Sequence, residues 1–179
     1  DGIKRVPSQD KRTKRKSVNN KMVSFITSKK FYLDVDKEKI ISNGTVREIY
    51  ADDIIPSLKF KINKRYILKN NLMVLDLLAT NDWERPVYFA ITVSPSLYMS
   101  FRDYFQLQGL AYEVVPIKTP SGKGRTGSID TDILYDNLMN KFIWKNVNKP
   151  GILIEHNVLR MLYNIKNTFA RLAENLVLE

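Results

Sequence analysis

Helical segments that alternate with short apolar strands predict an α/β fold, a small mixed sheet with flanking helices, closed by a long C-terminal amphipathic helix. Three observations carry that prediction. The run Pro86 to Val93 is continuously apolar, as a strand covered on both faces would be. Leu72 to Thr80 places apolar residues around almost its whole circumference, which predicts a buried helix, with Asn70 or Asn71 as its cap. Val158, Leu162, Ile165, Phe169, Leu172 and Leu176 recur at spacings of four and three, lining one stripe of a helix of about six turns.

The remaining elements follow from local signals. Val23 to Thr27 and Phe31 to Val35 are β-prone runs able to pair as a hairpin. Asp36 to Ser42 reads as a short helix stopped at Asn43-Gly44, and Arg47 to Ile55 as another ended by Pro56. Leu58 to Ile62 alternates apolar and basic residues, the pattern of a strand with one wet face. Ser94-Pro95 is a helix start, and that helix is expected to run to about Phe105. Gly109 to Ile117 reads as a strand, Asp130 to Phe142 as a helix and Gly151 to Ile154 as a short apolar strand. The segmentation is a flexible basic leader over 1–21, an α/β domain over 22–156 and a C-terminal helix over 157–179, its end expected to pack on something further along the chain.

At 179 residues, 44% hydrophobic and 27% charged, the chain is long enough to remove roughly 70% of its unfolded surface from water. Of its net charge of +10, residues 1–30 contribute +8, ten Lys/Arg against Asp1 and Asp10. Basicity therefore belongs to the leader and the folded part is near neutral, so no nucleic-acid partner is expected, with anionic-lipid or nucleic-acid binding through the leader as a rival. There is no cysteine, hence no disulfide and no thiolate metal site, and no segment reaches the length of a membrane span. The piece is expected to be soluble.

Gly122-Lys123-Gly124-Arg125-Thr126-Gly127 matches G-x-G-x-x-G, a loop that can bring backbone amides to a phosphate. Pro116 and Pro120 separate it from the preceding strand, and its helix begins only after the third glycine. Glu155 lies 33 residues after Gly122, where a ribose-binding acid belongs about 20 on. A surface loop is the preferred reading, and a phosphate or nucleotide site using Gly122, Lys123, Gly124, Arg125 and Gly127 is the alternative. His156, the only histidine, reads as a capping or surface residue. Asp130, Asp132 and Asp136 lack the glycine and glutamate of a calcium loop and suit a helix N-terminus. Asn43-Gly44-Thr45 matches a glycosylation acceptor, although a helix-stop glycine is the preferred reason for it. Asn81, Trp83 and Arg85, between the two most apolar segments, are the candidate binding residues. Trp83 and Arg85 can form a ligand shelf, or Trp83 can simply close the core. No catalytic residue, metal ligand or cofactor is assigned.

The run Lys69 to Ala90 (KNNLMVLDLLATNDWERPVYFA) resembles the signature of a bacterial family of large multi-pass membrane proteins of unknown function, grouped with protein O-mannosyltransferase-like glycosyltransferases. Phe31 to Thr45, Tyr104 to Pro116 and Asn167 to Ala173 agree with it, so the resemblance spans about Lys29 to Leu176. It implies a soluble extracytoplasmic or periplasmic region of a protein held in the cell membrane, following the transmembrane half and preceding helical repeats. The implied partners are the rest of its own membrane-embedded chain, those repeats, and a protein or glycan acceptor. Any glycosyl transfer would use residues of the membrane half, so none of the family's catalytic residues is carried onto this chain.

Overall fold

The computed structural model describes residues 30–62, 67–118 and 125–178 in full, and residues 3–5, 14–18 and 21–25 as backbone. The chain divides into two compact units, one of Asp1–Val87, Ser94–Arg102 and Pro116–Lys118, the other of Tyr88–Val93, Asp103–Val115 and Thr119–Glu179. Strands and helices are mixed throughout, and a long helix lies at the C-terminal side, as the α/β prediction required.

In the first unit, β4 (Lys30–Asp34) lies between β1 (Ile3–Arg5) and β5 (Ser57–Lys61), antiparallel to both. The alternation in β5 does what its pattern predicts: Leu58 and Phe60 are buried while Lys59 and Lys61 face water. Cross-strand neighbours Phe31 and Phe60 stack with ring centroids 5.7 Å apart, and Phe101 packs on Phe60 at 4.6 Å. The expected hairpin between Val23–Thr27 and Phe31–Val35 does not form. Instead β3 (Lys21–Phe25) pairs with β2 (Lys14–Val18), two residues upstream, while β4 has both its edges taken by β1 and β5 and offers none to Val23–Thr27.

Helix α1 (Lys37–Ser42) starts where Asp36 accepts a hydrogen bond from the Lys39 amide at 3.2 Å and stops before Gly44, whose φ of +78° suits a residue without Cβ. The stretch Glu48–Asp53 is a 3₁₀ turn kinked at Tyr50. Helix α2 (Lys69–Asn81) begins earlier than expected. Its N-cap is Leu68, with no side-chain cap, and Asn70 accepts from the Asn71 amide inside the first turn. It is also not buried all round: Asn71, Leu75 and Leu78 point inward at spacings of four and three, whereas Leu72, Met73 and Leu77 are more than half exposed. A 3.6-residue period brings only one face of this helix to its core.

The second unit is a four-stranded sheet in the order β6 (Tyr88–Ala90), β8 (Ala111–Val114), β7 (Phe105–Leu107), β9 (Ser128–Ile129), antiparallel except for β7 with β9. Strand β6 is an edge strand with only Phe89 buried, not the doubly covered strand that the apolar run suggested. The helix expected from Ser94 to Phe105 is instead two 3₁₀ turns, Pro95–Leu97 and Arg102–Tyr104. Met99, at φ +48°, departs from helical geometry, and Phe105 has already joined β7. Gly151 to Ile154 forms no strand, and Leu153 is almost wholly exposed.

Helix α3 (Thr131–Tyr135) is capped by Asp130, which accepts from the Ile133 amide at 3.0 Å, and continues as a π-turn over Asp136–Lys141. Helix α4 (His156–Leu178) packs through Leu172 onto Leu107, Leu134 and Leu138, with Phe169 and Phe142 alongside. The predicted stripe is therefore seated in its middle, while Val158 and Leu176 are exposed near its ends.

Gly127 has φ +74°, and a Cβ there would sit 2.7 Å from the Phe105 carbonyl oxygen. Gly127→Ala should lower stability by roughly 1–3 kcal/mol in denaturant titrations. Leu172→Ala should cost about 2–5 kcal/mol by the same measurement, and Val177→Ala, on an exposed turn of the same helix, less than about 0.5 kcal/mol.

Candidate functional site

Asn81, Trp83 and Arg85 share the turn that ends α2. Asp82 and Trp83 both have positive φ, 41° and 61°, a costly backbone for residues that carry a Cβ. Side-chain hydrogen bonds hold it. The Asn81 amide donates to the Arg85 carbonyl at 2.7 Å, Lys39 pairs with Asp82 at 3.1 Å, and the buried Trp83 indole donates to the Asp34 carbonyl at 2.8 Å. Asn43 donates to the Trp83 carbonyl and accepts from both the amide and the hydroxyl of Thr45. Trp83 thus closes the core of its unit, with Asn81 and Arg85 forming the turn around it.

Of the glycine loop, Gly122, Lys123 and Gly124 lie outside the described residues. Arg125 pairs with Glu174 of α4 in a bidentate contact, and the Arg171 guanidinium donates to the carbonyls of Thr126 and Gly127, both at 2.8 Å. Burial holds the Arg171 guanidinium below its ordinary pKa. The loop's Arg125 is therefore spent on Glu174 of α4, and Arg171 of α4 on the loop backbone. The side chains of the basic leader, residues 1–21, also lie outside the described residues. His156 is exposed at the start of α4, Asp130 is a buried cap, and Asp136 pairs with Lys141 at 2.7 Å. Hydrogen bonds from Asn140 and Lys141 hold the Asp136 carboxyl below its usual range. Among the described residues no three acids or histidines are grouped to hold a metal ion.

A polar row runs across the second unit's sheet. Strand register puts Tyr88, Glu113, Gln106 and Ser128 in line on β6, β8, β7 and β9, on one face of the sheet because paired residues share a side. Glu113 is 2% exposed. It accepts a hydrogen bond from the Gln108 amide and is bonded to the Tyr88 hydroxyl, which also lies 3.4 Å from Gln108 Oε1. Burial pushes the Glu113 carboxyl up to about 7, with the bonds from Gln108 and Tyr88 acting in the opposite sense. Tyr88 is raised as well, first by burial and then by the neighbouring Glu113 charge.

Tyr88 and Gln108 also line an open hollow of about 530 Å³, together with Leu110, Asn137, Lys141 and Phe142. Its position follows from the β7–β8 hairpin, where Gln108 receives Asn137 Nδ2 on its main-chain carbonyl at 2.9 Å and Lys141 reaches Asn137 Oδ1 at 3.1 Å. None of these residues was singled out from the sequence. The available signal was Glu113 itself, one acid inside the apolar run Ala111 to Val115, where a charge needs a partner to be buried.

Because folded Glu113 holds its proton more tightly than an unfolded glutamate near 4.5, it contributes stability that is complete below 4.5 and lost as pH rises through about 7. The displacement corresponds to roughly 3 kcal/mol. Thermal melts from about pH 5 to about pH 8 should show this loss in the parent and a flatter profile in Glu113→Gln, whose neutral amide does not titrate. Trp83→Phe, which removes the indole N–H bond to the Asp34 carbonyl, should cost about 1–3 kcal/mol, measured the same way.

No helix among the described residues is long and apolar enough to cross a membrane. No curated protein and no solved structure matches the chain. The family model described as TMEM260-associated domain 2 matches residues 1–133, a span that takes in the Asn81–Arg85 turn, the polar row and the start of α3. With about three quarters of its length inside that match, the chain belongs to the TMEM260-associated domain 2 family.

Proposed function

We propose that the chain is a non-catalytic, extracytoplasmic accessory domain of a glycosyltransferase-like multi-pass membrane protein, working in acceptor binding or assembly. The observation that carries this reading is α4, an amphipathic helix seated through Leu172 and Thr168 while Val158, Leu159, Tyr163, Leu176 and Val177 remain exposed. Apolar residues exposed on both sides of a seated centre are the pattern of a surface made for a further partner. The rest of the membrane-embedded chain, with helical repeats downstream, supplies such a partner, and a protein or glycan acceptor is the second. Membership of the TMEM260-associated family supports the accessory role. The likeness of Lys69 to Ala90 to the O-mannosyltransferase-like group supports the glycosyltransferase setting.

The test uses the full-length parent in membranes. Leu159→Asp combined with Val177→Asp should raise protease cleavage around this domain at least several-fold, while the melting temperature of the domain stays within a few degrees, as expected for exposed positions. Unchanged protease protection would remove α4 as an assembly surface.

A further inference from the structure

We infer that the hollow between the β7–β8 hairpin and the π-turn, lined by Tyr88, Gln108, Leu110, Asn137, Lys141 and Phe142, is a binding site for a neutral pyranose sugar. It deepens the acceptor-binding part of the proposed function and rests on that reading only for the biological source of the ligand. A pyranose has an apolar side made of C–H groups and a rim of hydroxyls, each both donor and acceptor. The hollow offers the matching chemistry. Leu110, Phe142 and the Tyr88 ring supply apolar and aromatic surface. Beyond their internal bonds, the Tyr88 hydroxyl oxygen and the Gln108 and Asn137 side-chain oxygens keep lone pairs that accept, and Asn137 Nδ2 keeps one N–H to donate. Its volume of about 530 Å³ lies within the roughly 300–1,000 Å³ typical of small-molecule sites.

Two further features narrow the ligand class. The first is charge. Among the described residues that line the hollow Lys141 alone is ionic, and it is paired with Asp136 at 2.7 Å and bonded to Asn137 at 3.1 Å, so these residues have little excess charge with which to hold an anion. The second is order. Gln108 is fixed from behind by the buried Glu113 and Asn137 by the Gln108 carbonyl, so the polar groups are held before any ligand arrives. Groups already ordered lose less entropy on binding, the condition under which a few hydrogen bonds suffice for a weakly held polar ligand. Glu113 is here a positioning residue: it has no surface in the hollow and acts through Gln108 and Tyr88.

The experiment is a titration of the 179-residue chain with the methyl glycosides of glucose, galactose, mannose and N-acetylglucosamine, with glucuronate and glucose 6-phosphate as charged counterparts. The readout is the set of Gln108 and Asn137 side-chain amide resonances. At least one neutral glycoside should shift both in a saturable way and bind more tightly than the charged sugars. Tyr88→Ala and Asn137→Ala should each weaken that binding by about tenfold, the loss of one good contact. Leu153→Ala, at an almost fully exposed position outside the hollow, should leave it unchanged. Tyr88→Phe keeps the ring and guards against misfolding, and it should give an intermediate loss. No saturable shift with any neutral glycoside, tighter binding of a charged sugar, or equal binding by Tyr88→Ala and Asn137→Ala in folded protein would each overturn the inference. Loss of the sugar site would leave the α4 assembly test unaffected, and the reverse also holds.

Discussion

The second unit depends on one close approach, that of Gly127 to the Phe105 carbonyl. A Cβ at that position would lie 2.7 Å from the Phe105 carbonyl oxygen, so the backbone next to the Gln106–Ser128 pairing of β7 with β9 would have to shift. Arg171 completes the constraint from the other side by taking the carbonyls of Thr126 and Gly127. One backbone contact and one guanidinium thus fix the sheet edge to α4 and set where Leu172 meets Leu107, Leu134 and Leu138. The burial of apolar area supplies most of the free energy, but this contact decides which arrangement collects it.

That close approach gives the third glycine of the Gly122–Gly127 motif a steric role that its sequence pattern does not show. A glycine's tolerance of positive φ serves a phosphate loop and a tight strand approach equally well, so the glycine by itself does not say which strand it will meet. The structure gives Gly127 a steric reason and gives Arg125 a partner in Glu174. The buried Glu113 shows the opposite case. A lone acid in an apolar strand is visible in the sequence, yet its meaning depends on which residues the register sets beside it. Tyr88 and Gln106 come from strands whose pairing no local pattern specifies.

Much of the fold was legible where one physical signal acted alone. The alternation in Ser57–Lys61, the short helix after Asp36, the helix that starts at Asp130 and the 3.6-residue stripe of α4 all appear as their signals predict. Errors arose where two readings of apolar residues compete. Leu72, Met73 and Leu77 were expected inside because the sequence records hydrophobicity but not which side of a helix finds a neighbour. Tyr88 to Ala90 reads as a central strand and is an edge strand, since a short apolar run does not record how many neighbours it will have. Phe105 to Leu107 was hidden behind a proline-led helix start whose helix stops after one turn. The candidate site suffered most, because Tyr88, Gln108 and Asn137 meet only through tertiary pairing.

The Asn43 side chain carries a consequence of its own. Its amide nitrogen is committed to the Trp83 carbonyl and its oxygen to Thr45, so the acceptor atom of the Asn43-Gly44-Thr45 tripeptide faces inward once the fold has closed. An enzyme reading such tripeptides would find this asparagine only on a nascent or unfolded chain, and a sugar added at that stage would deny Trp83 its latch. Maturation order, rather than surface accessibility in the finished molecule, would govern whether that position carries a glycan.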